Sequence, residues 1–353
     1  MIRRPSDGTG EHQVEHNLPP EIGPYLEARV TGLGTYAGNR KFPDGQSNPT
    51  YLVSGSKDSF VLRARPPGKL IRSAHRVDRE FRVMRALFAS DVAVPETVYL
   101  SGEDNPLGRQ FFVMRHVQGR VFWNPALPGI PAEERGQVYS DMIRTLASLH
   151  SVDPDSVGLS DFGRPRGYIE RQAALWISLY RQAEEAPEPM LDQVIPWLEE
   201  NVPADDGSAS IVHGDFRIDN VIFRADRPEV AAVLDWELST LGHPVSDLAN
   251  LCAQQRLPNE GFFMRGLAGV DRRSVGIPEE EEIVEQYCSR MAISFPADWT
   301  FHTIFSLFRL AAILAGVRSR AIRGNASNPD KAFELSKAIP VLAELAVAGL
   351  DRS

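Results

Sequence analysis

The chain has 353 residues, with 38 Lys+Arg against 47 Asp+Glu, a formal charge of −9, and 42% hydrophobic and 24% charged residues. This is globular composition with length for about two domains, which excludes a disordered tail protein, a collagen-like chain and a disulfide-stapled mini-protein. The acid excess argues against a nucleic-acid binder, which needs a basic face, and leaves room for a small basic nucleotide pocket.

Residues 1–17 are polar and contain no apolar stretch, so they do not read as a signal peptide. Residues 1–16 are expected to be a flexible tail. From residue 30 to 117 the pattern is strand-rich with one helix. Residues 50–53 and 60–62 are short β-type runs, and 55–58 between them reads as a hairpin turn. A helix is expected over 73–89, because Val77, Phe81, Met84 and Phe88 recur at three- and four-residue steps. Residues 98–100 and 111–114 are two more strands, joined by the polar turn 102–108.

After Gly119 the chain becomes mainly helical. Val138, Met142, Leu146 and Leu149 mark one helix; Trp176, Leu179 and Tyr180 mark a second. Ile283, Val284, Tyr287, Cys288 and Met291 mark a third, with the acidic run 279–282 decorating its start. A long helix is expected over 298–323, stopping at Gly324-Asn325, with Phe301, Phe305 and Phe308 in the core. Its apolar run, 310–317, is flanked by Arg309 and Arg318 and falls short of the ~20 residues that span a bilayer. Residues 221–223 and 230–234 are β-type and separated by a turn. The expected organisation is an N-lobe over 17–117 and a C-lobe over 118–353, hinged near 115–119. Cys252 and Cys288 lie in apolar stretches and read as reduced core thiols, and no Cys/His cluster suggests zinc. A cytoplasmic location follows as the expectation, with no membrane or nucleic-acid partner; the sequence assigns no oligomeric state.

The chemistry is concentrated in His213-Gly-Asp-Phe-Arg-Ile-Asp-Asn220, the hairpin that follows, and Leu234-Asp-Trp-Glu237. An antiparallel hairpin brings its entry and exit to the same end. Asp215 and Asn220 precede its first strand and Asp235 follows its second, so three oxygen-bearing side chains converge. Such hard ligands suit Mg²⁺, which completes its shell with water and substrate phosphates.

This arrangement resembles the catalytic loop and metal-binding Asp of the protein-kinase-like superfamily, in which His-x-Asp is followed, after four intervening residues, by Asn. Gly214 stands where protein kinases carry Arg, and Asp-Trp-Glu replaces Asp-Phe-Gly. Both departures are similar to the aminoglycoside phosphotransferase and choline-kinase branch, which acts on small molecules. Asp44-Gly-Gln-Ser-Asn-Pro49, Phe60-Val-Leu-Arg-Ala-Arg-Pro-Pro-Gly68, Val77-Asp-Arg-Glu80 and the stretch from Leu234 to Asp247 resemble one subgroup of it. That subgroup includes the kinase-like domain fused to some acyl-CoA dehydrogenases.

The resemblance implies an α+β, two-lobed, protein-kinase-like fold with a β-rich N-lobe and a mainly helical C-lobe. It implies ATP (or GTP) and Mg²⁺, and transfer of the γ-phosphoryl group to a hydroxyl of a small molecule. Asp215 becomes the catalytic base, Arg217 a contact to the transferring group, and Asn220 and Asp235 the metal ligands. Arg63 takes the strand position of the usual Lys and pairs with Glu80, with Arg65 and Lys69 as substitutes. Ser47 lies in the loop over the phosphates. The Arg115 carbonyl and the Val117 amide meet the adenine. Asp247 caps amides of the catalytic loop and His213 braces it. Trp236 and Glu237 are expected near the acceptor. The rival reading is a non-catalytic nucleotide-binding pseudokinase, which Arg63 in the Lys position keeps open.

Overall fold

The computed structural model describes residues 18–42, 48–67, 75–183, 187–261, 264–324 and 328–351. The expected tail 1–16, Ser47 and Lys69 lie outside the described residues. The chain divides into two units. One comprises the described residues up to Arg82 together with Glu96–His116, and the other Val83–Pro95 and the described residues from Val117 onward.

The first unit holds α1 (Ile22–Glu27), β1 (Tyr36–Lys41), β2 (Thr50–Gly55), β3 (Ser59–Ala64), the start of α2 (Val77–Leu87), β4 (Thr97–Leu100) and β5 (Phe111–Arg115). The strands form one antiparallel sheet in the order β1-β2-β3-β5-β4. Its core gathers Leu26, Leu33, Val53, Phe60, Leu62, Phe111 and Val113. β1 is the strand the sequence pattern does not announce. It is an edge strand with Gly38 and Asn39 at its centre and an irregular register between Tyr36 and Gly38, so it carries no alternating apolar face.

α2 is rotated from its expected face. Val77, Glu80, Val83, Met84 and Leu87 are buried, while Phe88 lies beyond the helix and is 53% exposed. The true stripe therefore includes a carboxylate, which an apolar count passes over. The stretch after α2 groups with the second unit because Val233 N–H donates to the Ala93 carbonyl at 2.8 Å and Val92 and Val94 are buried.

The second unit holds β6 (Arg120–Val121), α3 (Ala132–His150), α4 (Tyr168–Arg181), α5 (Pro189–Glu200), β7 (Ser210–Val212), β8 (Val221–Phe223), β9 (Val230–Val233) and β10 (Thr240–Gly242). It continues with α6 (Val245–Gln255), α7 (Glu280–Met291), α8 (Trp299–Ile322), α9 (Pro329–Ser336) and α10 (Ile339–Leu350). Strands β6, β8 and β9 form one small sheet, and β10 pairs with β7. α4, α5, α8 and α10 share a core that contains Phe301, Phe305 and Phe308. α8 is long and apolar enough to cross a membrane by length and composition, yet 67% of that window is buried within the protein. α7 opens with a capping box between Glu279 and Glu282, the expected use of the acidic run. Cys252 and Cys288 are free and buried. α6 is not among the elements expected from sequence; it is buried nearly all round, with Asp247, Asn250 and Gln255 inside along with its apolar residues.

Candidate active site

The hairpin β8–β9 closes as its spacing requires. Val221 pairs with Val233, and Leu234 N–H donates to the Asn220 carbonyl at 2.8 Å. Asn220 and the residue before Asp235 are thus joined by a backbone bond. Asn220 Nδ2 donates to the Asp215 carbonyl at 2.9 Å and to Asp215 Oδ2 at 3.1 Å. That spends the amide N–H groups on Asp215 and leaves Asn220 Oδ1 as the atom offered to a cation. Asp235 itself sits at φ 66° and ψ 60°, in the left-handed region that a non-glycine residue adopts at a cost of ~1–3 kcal/mol. Such strain concentrates at functional sites. It is invisible in sequence, because Asp is one of the few residues that tolerate it.

Arg217 lies among the carboxylates. Its Nη2 donates to Asp219 Oδ2 at 2.5 Å, and its Nε stands 3.8 Å from Asp215 Oδ2. Burial works against its charge, but Asp215, Asp219 and Asp235 outweigh burial and raise the guanidinium above its ordinary value. All three carboxylates are therefore within electrostatic reach of one cation. Burial and the neighbouring Asp215 push the Asp219 carboxyl up, against the pull of Arg217. Gln254 of α6 reaches Asp215 Oδ1 at 3.5 Å.

The loop beneath Asp215 is braced as expected. His213 Nε2 faces the Leu234 carbonyl at 2.9 Å, an acceptor only, so the proton is on Nε2. Nδ1 is then free to accept from the Asp215 amide at 3.2 Å. Asp247 accepts from the His213 amide at 2.6 Å and the Gly214 amide at 2.8 Å. Trp236, expected near the acceptor, is instead 1% exposed. Its ring packs 4.7 Å from His213, and its indole N–H donates to the Val233 carbonyl. It supports the loop from below.

Gly214 explains why no Arg precedes Asp215 here. Its φ is +83°, and a β-carbon would lie 2.7 Å from the Leu238 carbonyl oxygen. Gly214→Ala is expected to cost about 1–3 kcal/mol. The check is a lower urea midpoint with an unchanged slope.

In the first unit, Arg63 Nε and Glu80 Oε2 are 2.8 Å apart, with Glu80 1% exposed. Asn48 Nδ2 donates to Glu80 Oε1 at 2.8 Å, and His75 Nδ1 lies 3.1 Å from Asn48 Oδ1. Neither Asn48 nor His75 has a role assigned from sequence; Asn48 closes the candidate phosphate loop, and that place was the available signal for it. Arg65 instead stands 3.6 Å from exposed Glu103. Arg115 ends β5 and holds Glu96 and Asp58 with its side chain, while Val117 opens the second unit.

The donor set fits Mg²⁺: one amide oxygen and one carboxylate, both hard, at one end of a rigid hairpin. Among the described residues no group of three or more His, Cys, Asp or Glu is placed to hold a metal unaided. A cation here would need oxygens from elsewhere, as Mg²⁺ takes them from water and phosphates.

Comparison with known proteins points the same way. Acyl-CoA dehydrogenase family member 11 of Rattus norvegicus is 40% identical over 331 residues, covering 91% of this chain and 42% of that protein. Acyl-CoA dehydrogenase family member 10 of Mus musculus is 40% identical over 326 residues, covering 91% of this chain and 30% of that protein. The chain thus spans less than half the length of these relatives. A solved Ralstonia eutropha JMP134 protein with a provisional aminoglycoside phosphotransferase assignment is 37% identical. It has a TM-score of 0.83 and covers 94% of this chain and 98% of its own. Spectinomycin phosphotransferase, solved with ADP and spectinomycin, shares the fold at TM-score 0.63 and 10% identity over 93% of this chain and 97% of its own. The fold is therefore the α+β kinase-like fold of these enzymes, with a β-sheet first unit and a helical second unit. A family model matches residues 39–275, and the chain belongs to the phosphotransferase enzyme family, APH.

Proposed function

We propose that this protein transfers the γ-phosphoryl group of ATP to a hydroxyl of a small molecule. The observation that carries the reading is the convergence of Asp215, Asn220 and Asp235 at one end of the β8–β9 hairpin. The hydroxyl oxygen forms a bond to the γ-phosphorus, the bond to the bridging oxygen breaks, and ADP leaves. Asp215 orients the hydroxyl and accepts its proton. Asn220 and Asp235 are the residues that would hold Mg²⁺, which offsets charge on the phosphates when bound. Arg217, held by Asp219, adds positive charge beside the base. Arg63, anchored by Glu80, is the phosphate-side cation. It stays charged and grips phosphate bidentately, so it serves in place of Lys. The spectinomycin phosphotransferase solved with ADP supports nucleotide use.

The acceptor we favour is a hydroxy acid or its acyl-CoA ester. The relatives at 40% identity bear the acyl-CoA dehydrogenase name. The 43%-exposed Leu238 next to Gly214 suits an acceptor with an apolar part.

The first test is thermal unfolding with Mg-ATP. A ligand that binds only the folded state adds ~2.7 kcal/mol at a hundred times its Kd. Wild type should show that stabilisation with ATP and Mg²⁺ together, and Asp235→Ala should lose most of it while unfolding near the wild-type temperature without ligand. A wild type unmoved by ATP or GTP would sink the reading and favour a degenerate, non-catalytic relative that binds no nucleotide.

A further inference from the structure

Arg309 is out of place in its helix. Residues 301–308 of α8 are all buried, and Arg309 follows them half-buried. Desolvating a guanidinium is costly unless it is bound to something. Here it is bound twice. Nη2 donates to the Gly214 carbonyl at 2.9 Å, and the guanidinium carbon lies 5.3 Å above the centre of the Trp176 ring on α4.

The Gly214 carbonyl belongs to the peptide unit that carries the Asp215 amide. That amide donates to His213 Nδ1 at 3.2 Å. Arg309 therefore fixes one edge of this peptide plane and His213 the other. The preceding peptide is held by Asp247 through the Gly214 amide at 2.8 Å. Gly214, at φ +83°, is the flexible joint between the two planes. Without an anchor on its carbonyl, rotation about that joint would swing the Cα–Cβ bond of Asp215. The planar guanidinium can lie flat on Trp176 while its edge donates, a geometry that a lysine ammonium reproduces only in part.

We propose that Arg309 is a positioning residue for Asp215, acting through the Gly214 carbonyl, with Trp176 fixing the guanidinium in turn. The inference rests on the assignment of Asp215 as the base. A misplacement of about 1 Å costs on the order of 10²-fold in rate, so the effect belongs in kcat and not in KM.

The test is ADP release by the full chain with Mg-ATP, using 3-hydroxybutyrate, ethanolamine or glycerol as the hydroxyl probe. Where none stimulates release, the same comparison is read on turnover with water as acceptor. Wild type is compared with Arg309→Gln, Arg309→Lys and Asp215→Asn. The expected result is a kcat at least tenfold lower in Arg309→Gln, with KM values within twofold and Mg-ATP stabilisation retained. Arg309→Lys should recover part of the loss, which general loosening of the fold would not explain, and it serves also if the Gln variant folds poorly. Wild-type kcat in Arg309→Gln, or a raised acceptor KM with kcat intact, overturns the proposal; the latter makes Arg309 an acceptor contact. If Asp215→Asn turns over like wild type, the phosphotransfer reading itself fails and this inference falls with it.

Discussion

Asp215→Asn is expected to lower ADP release by about 10²–10⁴-fold, the usual contribution of a positioned general base. The substitution preserves shape and removes the negative charge, and with it the capacity to take a proton. Asp215 is 31% exposed on its side chain, so its replacement should cost well under ~1 kcal/mol of stability. The local bonds also survive. The Asn oxygen can still accept from Asn220 Nδ2, and Gln254 can turn its amide to meet the new N–H₂. Mg-ATP should therefore stabilise the variant as it does wild type, because Asn220 and Asp235 are untouched. Retention of more than a tenth of the activity would place the base elsewhere. Loss of the Mg-ATP stabilisation together with activity would make Asp215 a binding residue.

The residues that announced this site are those whose neighbours are close in sequence or joined by one hairpin. Asp215 and Asn220 are five apart, and Asp235 returns through the β8–β9 turn, so spacing alone predicts that they meet. Glu80 was legible as a partner of Arg63 only through the family resemblance. Its own helix pattern hid it, because the buried face of α2 runs through Glu80 and Leu87 and not through Phe81 and Phe88. Asp247 could be assigned to the loop amides only through the family resemblance, and its short helix was passed over, its polar residues Asp247, Asn250 and Gln255 being buried with the apolar ones. Arg309 was read as the flank of an apolar run. Its partner Gly214 lies 95 positions away in sequence, and nothing local couples them. The general signal was present all the same: an Arg in the middle of an apolar stretch needs a reason. β1 and the left-handed Asp235 left no trace, because edge pairing and backbone strain depend on what the folded chain imposes.

Asp247→Ala should cause the largest loss of stability, about 3–5 kcal/mol, the usual result of removing one member of a buried charged network. The carboxylate is 1% exposed and serves three donors: the His213 amide, the Gly214 amide and His150 Nε2, at 2.6, 2.8 and 3.2 Å. His150 Nδ1 in turn accepts from the Tyr287 hydroxyl at 2.7 Å, an arrangement complete with a neutral imidazole. Alanine leaves all three donors buried without an acceptor, and each such group costs ~1–3 kcal/mol. Burial alone would push the Asp247 carboxyl up, but the hydrogen bonds from His150 and from the His213 amide work against it, and the group stays below its ordinary value. The sign of the pH dependence follows. A depressed folded pKa contributes stability that is fully present above the unfolded value of about 3.9 and is lost as pH falls through the folded pKa. Urea unfolding from pH 7 to pH 3 checks this with Asp247→Asn, which cannot ionise. The gap between wild type and this variant should be constant above about pH 5 and should narrow steadily below pH 4. A gap unchanged down to pH 3 would mean that the Asn variant loses packing alone, and that the charge on Asp247 does not hold the loop under Asp215.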